Sequence, residues 1–326
     1  MGNFSEQIAD LTRKAIQPEL LLASLLTGGE IFWVVEDSDA DFSKLLQKYE
    51  KNVFTTVPDA YSAMADNRND ICMLSAYSSH ALTAMLSITK SRCHFIGMDG
   101  GGRIWDQGTK ISLGVTTVAT DIAAVKNTGT RNSFKNIKFL NNNTKAESLY
   151  CFIDAAEGTI MENCSVEHLK LLSTAGVGEF LCQGNLCLYK HCSFGADSVV
   201  SSARASILFD AAVGGLSVAN HVRFEDCEIN GWSTVNTRTL ITVTAVTDIK
   251  NLVLFKDCVF NANTSEGAAS LLKAVTQTGG NFTQGTILMK NCALNKIAAY
   301  VTGGDTGVFV EGPATTNAAG KSVQAA

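Results

Sequence analysis

Apolar and polar positions alternate in a short phrase that returns along the second half of the chain. It reads T-I-M-E-N-C-S-V at 159–166, C-L-Y-K-H-C-S-F at 187–194 and V-R-F-E-D-C-E-I at 222–229. It comes back as V-L-F-K-D-C-V-F at 253–260 and I-L-M-K-N-C-A-L at 287–294. A further copy, S-F-K-N-I-K-F at 133–139, keeps the frame with Ile137 in the cysteine slot. The equivalent positions, Ile137, Cys164, Cys192, Cys227, Cys258 and Cys292, are separated by 27, 28, 35, 31 and 34 residues. A repeat of this length predicts stacked supersecondary units, each burying its apolar face against the next. Read as one strand, each phrase places its cysteine on the face of the apolar residue two places on, and the preceding Asn, His or Asp on the other face. A second apolar strand follows in each repeat, at 149–154, 179–182, 206–210, 240–244 and 271–275, with 299–302 in the last. Turns rich in Asn, Gly, Ser and Thr lie between them.

The first part of the chain has a different pattern. Residues 3–26 read as helical, with Phe4, Ile8, Leu11, Ala15 and Ile16 at three- and four-residue steps. Pro18 interrupts, and Leu21 and Leu25 continue the apolar face. This segment needs a surface to bury against, either as a cap on the first rung of a stack or as an attachment to a larger assembly. A strand at 30–36 and a charged, helical connection to Lys51 follow. The spacing at 57–66, opened by Pro58, predicts a short amphipathic helix. A first rung then runs through 70–74, 82–88 and 89–98.

That helix, the strand N-D-I-C-M-L and the phrase L-S-I-T-K-S-R-C-H-F-I-G-M together resemble the opening of pectin-lyase-like right-handed parallel β-helix proteins. The likeness covers 57–98 closely and 130–302 through the repeat frame. It implies an all-β fold, a right-handed single-stranded parallel β-helix with a helical N-terminal cap or anchor. The expected division is a cap or anchor at 1–56, the β-helix at 57–302 and an extended, small-residue arm at 303–326.

Composition narrows the function. Apolar residues make up 46% of the chain and charged residues 17%, enough to bury a long core under a surface of Ser, Thr, Asn and Gly. A net charge of −5 without a basic stripe gives no reason to expect nucleic acid. No apolar run reaches the eighteen or so residues of a membrane helix, and the opening lacks the features of a secretory signal. Ten cysteines, half of them in the repeat slot, are expected as reduced thiols filling a narrow core, in keeping with assembly in a reducing cytoplasm. Cys182, Cys187, His191 and Cys192 form a denser cluster, but its spacing is not that of a zinc knuckle, so neither metal nor cofactor is expected.

β-Helices of this class often bind or cut polysaccharides, and glycoside hydrolysis needs two carboxylates across a groove. Asp154 and Asp210, which end comparable second strands, form one candidate pair. Asp226 and Asp257, which precede stacked cysteines, form the other. Polar ladders on a solvated sheet face explain the same residues without catalysis. The absence of an export signal, the reduced cysteines, the polar surface and the helical N-terminus resemble tailed-bacteriophage virion proteins. That resemblance implies a non-catalytic capsid-surface decoration or fibre protein, located in the virion and assembled as a homotrimer. It would attach to the major capsid protein or another virion protein through Phe4, Ile8, Leu11, Leu21 and Leu25. The alternative is a tailspike-type depolymerase, a hydrolase or lyase acting on host surface polysaccharide through Asp154, Asp210, Asp226 or Asp257.

Overall fold

The computed structural model describes residues 28–35, 51–99, 108–114, 121–169, 177–196, 199, 204–213, 217–264, 271–277, 284–301, 307–311 and 321–322. Over them the chain winds as a right-handed parallel β-solenoid with three sheets of twelve, eight and seven strands, here sheets A, B and C. One coil shows the path. Ile160–Glu162 lies in sheet A, Ser165–His168 in sheet B and Gly178–Cys182 in sheet C. Leu188–Lys190 then returns to sheet A one rung on. Rungs pair in register, Met161 with Tyr189 and Val166 with Phe194.

The repeated phrase turns out to be two strands joined by a two-residue corner. A single strand would set Met161 and Val166 on opposite faces, yet both are fully buried. The first corner residue takes a left-handed backbone: φ is 57° at Asn136, 53° at Asn163, 51° at His191, 51° at Asp226, 56° at Asp257 and 51° at Asn291. Asn, Asp and His tolerate that conformation better than other side-chain-bearing residues, which explains their place in the phrase. The turn shifts the alternation by one residue, so the cysteine slot faces inward together with the residues three before and two after it. Cys164 Sγ donates to the carbonyls of Glu162 at 3.5 Å and Phe134 at 3.4 Å, and Cys258 repeats this with Lys256 and Phe224. All ten cysteines are free.

The core is a column of rings. Phe95, Phe134, Met161, Tyr189, Phe224, Phe255 and Met289 point inward from successive strands of sheet A and are essentially inaccessible. Phe95 and Phe134 stack with centroids 5.4 Å apart, and Phe224 and Phe255 at 4.6 Å. Rungs about 4.8 Å apart impose this spacing, and each ring adds roughly 2 kcal/mol of burial.

The helix expected at 57–66 is present as Val57–Ala63. Thr56 caps it by accepting from the Asp59 amide at 3.2 Å, and Pro58 occupies its first turn. Val57, Ala60 and Tyr61 pack onto the end of the core. The phrase at 86–97 locks it there: Lys90 Nζ donates to the Tyr61, Ser62 and Met64 carbonyls at 2.9, 2.8 and 2.6 Å, groups that the helix end leaves without partners. Gly97 closes the phrase because a Cβ there would lie 2.1 Å from the Asn136 carbonyl oxygen.

Sheet A is longer than the expected 57–302 span. Ile31–Val34 and Val53–Phe54 extend it at one end, and Val308–Glu311 and Lys321–Ser322 at the other. The flanks thus supply strands of their own, because the open ends of the sheet offer unpaired backbone groups. The helix expected over 3–26, with Phe4, Ile8, Leu11, Leu21 and Leu25, lies outside the described residues. The strand expected at 299–302 is not formed over 299–301.

Candidate functional site

The outward face of sheet A carries two columns of side chains. The first runs His94, Ser133, Ile160, Leu188, Arg223, Leu254, Leu288; the second runs Ile96, Lys135, Glu162, Lys190, Glu225, Lys256, Lys290. Near the start of these columns the face sinks into a depression of about 290 Å³. Ser133, His94, Ile96, Lys135, Ile160 and Glu162 line it, with Arg131 and Gly158 at the corner above. Gly158, at φ 72°, gives the corner no side chain of its own, and a Cβ there would touch Arg131 Cγ at 3.2 Å.

A hydrogen-bonded chain of three side chains runs through this place. Ser133 Oγ lies 2.8 Å from His94 Nδ1, and His94 Nε2 lies 3.3 Å from Asn69 Oδ1. Parallel pairing creates the first contact, since His94 and Ser133 are register partners on adjacent strands. Asn69, with φ 61°, sits in the turn just before strand Asp70–Leu74. The Asn69 carbonyl oxygen only accepts, so Nε2 carries the proton and Nδ1 presents its lone pair to the Ser133 hydroxyl. Burial, opposed in part by the nearby Asp70 charge, pulls the His94 pKa down to about 4, so the ring is neutral at pH 7. Lys135 pairs with Glu162 at 3.4 Å on the floor. A hydroxyl, a neutral imidazole that accepts its proton and a group that fixes the ring are the parts of an activated nucleophile.

The four carboxylates expected from sequence lie elsewhere. Asp154 is fully buried and accepts from Tyr189 Oη at 2.6 Å, Thr159 Oγ1 at 2.9 Å, Asn127 Nδ2 at 3.1 Å and the Ala156 amide at 3.3 Å. Burial raises its pKa, and these four bonds hold it down. Asp210 is not its counterpart. Asp154 pairs with Cys182, and Leu181 pairs with Leu208, so Asp210 stands one residue beyond the equivalent Phe209. That one-residue offset turns the two acids to different faces, and they do not confront each other. Asp210 instead accepts from the Ala212 amide at 2.9 Å.

Asp226 and Asp257 occupy the left-handed corner on neighbouring rungs, between strands and not on the strand face where the sequence pattern places them. Asp226 Oδ2 lies 4.0 Å from His191 Nδ1. Asp257 accepts from Asn291 Nδ2 at 2.6 Å and lies 3.5 Å from Lys256 Nζ, and the Asn291 bond above all keeps its carboxyl below the usual range. None of the four acids lines the depression.

Sequence reasoning passed over two clusters. The His94–Ser133 pair joins residues 39 positions apart, and only an alignment of Phe95 with Phe134 reveals their register. The other lies between sheets B and C, where fully buried Glu179 accepts from the His168 amide at 3.0 Å and the Ala196 amide at 2.8 Å. Its other oxygen lies 3.6 Å from Arg238, whose guanidinium also donates to the carbonyls of Arg204 at 2.9 Å and Trp232 at 2.6 Å. These partners are mostly backbone, so the cluster clamps connections together. Cys182, Cys187 and Cys192 all face the core, whereas His191 sits on the corner. Among the described residues no group of three or more His, Cys, Asp or Glu is placed to hold a metal ion.

Solved structures share this fold. Over 89% of this chain and 71% of its own, the pectate lyase Pel9A superposes with a TM-score of 0.54 at 10% identity. The pectin methylesterase PemA from Erwinia chrysanthemi gives 0.51 at 9% identity, over 90% of this chain and 92% of that one. A pectin methylesterase in complex with a hexasaccharide gives 0.50 at 10% identity, with the same coverage. These similarities show that the chain has the pectin-lyase-like right-handed parallel β-helix fold. No protein-family model and no curated protein matches the sequence.

Proposed function

We propose that this protein acts on a polysaccharide that lies across the outward face of sheet A. The observation that carries this reading is the depression at His94 and Ser133. It combines polar groups on its floor, an apolar wall at Ile96 and Ile160, and the exposed Arg131 cation at its rim. Such a mixture suits a sugar, which offers hydroxyls at its edges and apolar C–H faces. That the solved structures sharing the fold include a pectate lyase and pectin methylesterases supports a carbohydrate ligand over other classes. Affinity electrophoresis against a panel of acidic and neutral surface polysaccharides tests it. Retardation by at least one, weakened in Arg131→Ala, is expected, and no retardation by any of them refutes the reading.

A second reading, the non-catalytic scaffold of a bacteriophage virion assembled as a homotrimer, draws on one feature of the same face. Exposed Ile160 and half-buried Leu188, then Leu254 and Leu288 beyond an exposed Arg223, form an interrupted apolar row beside a column of Lys and Glu, a pattern suited to self-association. Light scattering separates the two: a monomer that binds glycan supports the first, and a stable trimer without glycan binding supports the second.

A further inference from the structure

We propose that Ser133 is the nucleophile of an acyl-transfer site that removes small O-acyl groups, such as acetyl, from an acidic polysaccharide. This rests on the polysaccharide reading above and adds a reaction to it.

The geometry supplies each part of the step. Ser133 is half-buried at the floor of the depression, with its hydroxyl 2.8 Å from the unprotonated nitrogen of His94. In the first half-reaction Ser133 Oγ bonds to the ester carbonyl carbon as its proton passes to His94 Nδ1. The tetrahedral intermediate then collapses, the bond to the sugar oxygen breaks, and the proton on Nδ1 goes to that oxygen. In the second half-reaction water attacks the acyl-Ser133 carbonyl and gives a proton to Nδ1. Collapse frees the carboxylic acid and returns the proton to Ser133 Oγ. The sum is ester plus water to alcohol plus acid.

Two observations select the substrate. The depression holds about 290 Å³, at the small end for ligand sites, so a polymer lies over it and only a substituent reaches the floor. An acyl group borne on a sugar hydroxyl meets that demand. An ester of the polymer's own carboxyl would bring the backbone of the chain down to Ser133. The charges favour an acidic polymer: Lys135 and Glu162 cancel in their pair, which leaves Arg131 as the excess cation of the lining. Asn69 touches no substrate; it is a positioning residue that sets the tautomer of His94.

The experiment measures acetate release from an O-acetylated uronic-acid polysaccharide, with 4-nitrophenyl acetate and a fluorophosphonate probe alongside. The full chain is expected to release acetate and to carry the phosphonate on Ser133, located by mass spectrometry. Ser133→Ala should lose at least about 10³-fold in turnover while keeping its retardation by the polysaccharide. In Asn69→Asp a carboxylate beside Nε2 raises the His94 pKa, so the acid limb of the rate profile should move upward from near pH 4, a shift that a purely structural role would not produce. Asp226→Asn, outside the site, should leave both turnover and binding unchanged. If the wild-type chain binds the polysaccharide but neither releases acetate nor labels at Ser133, acyl transfer is overturned and the binding reading survives. If it does not bind at all, both fall.

Discussion

Lys90 and Tyr61 hold each other by opposite ends. The Tyr61 hydroxyl accepts from the Lys90 backbone amide at 2.8 Å, while the Lys90 ammonium donates to the Tyr61 carbonyl at 2.9 Å and lies 4.9 Å from the centre of its ring. The pair fastens the one described helix to the first coil. Lys90→Met keeps the stem but strands three helix-end carbonyls, and should cost about 2 kcal/mol in urea unfolding. A loss below a few tenths would show that water replaces the ammonium freely.

Asp154 is a structural acceptor by the same reasoning. Asp154→Asn turns an amide toward four donors in a dry site, so a loss of about 3 kcal/mol is expected, with polysaccharide binding intact in the folded fraction. A stable variant that had lost activity would restore this residue as a candidate acid.

The left-handed corners give a paired prediction. Asn163, at φ 53°, also donates to Asn136 Oδ1 at 2.8 Å. Asn163→Val forces a β-branched residue into that conformation and should cost about 2 kcal/mol, whereas Asn163→Gly should cost less than about 1 kcal/mol. Leu186, at φ 56° and 57% exposed, breaks the rule, so Leu186→Asn should be neutral or stabilising in the same assay.

Acid should loosen the first coils. Burial lowers both His80 and His94 from 6.5 to about 4, so the unfolded chain takes up protons first as the pH falls. Stability is therefore lost between about pH 6.5 and 4, by about 3 kcal/mol per histidine. Asp154 acts in the opposite sense, since its raised pKa favours the fold once it is protonated. Unfolding His80→Gln and His94→Gln across this range measures each share, and an unchanged pH slope in both would refute the assignment.

Thiol chemistry should find one residue. Cys292 is half-exposed at the last rung of its column, while the other nine are buried. Titration with a disulfide reagent under native conditions should therefore modify at most one thiol per chain, with the rest reacting only on unfolding.

The stack itself was legible because the frame Phe134–Ile137–Phe139 recurs as Tyr189–Cys192–Phe194 and Phe255–Cys258–Phe260. The same frame contained the corner, in a form easily misread. A gap of three apolar steps inside an otherwise two-step alternation marks a change of phase, and Asn, His or Asp at that gap marks where the backbone turns left-handed. The offset of Asp210 from Asp154 was hidden because both precede Ala-Ala, a local likeness that says nothing about rung pairing. His94 and Ser133 lie in two phrases of different wording, and only the winding of the coil, which sets Phe95 beside Phe134, brings them together.

The invariant corner has a consequence for how such a chain can change. Between sheets A and B each of the six phrase repeats spends two residues, whereas the connections from B to C and from C back to A differ in length from coil to coil. Only the first two coils, at 75–78 and 98–109, are longer at that edge, so from Ser133 onward insertions have room at two edges of the prism and not at the third. Sequence novelty is thereby channelled to particular sides of the molecule, and a loop transplanted onto one of those sides leaves the pitch of the winding, and with it the seat of Ser133, undisturbed.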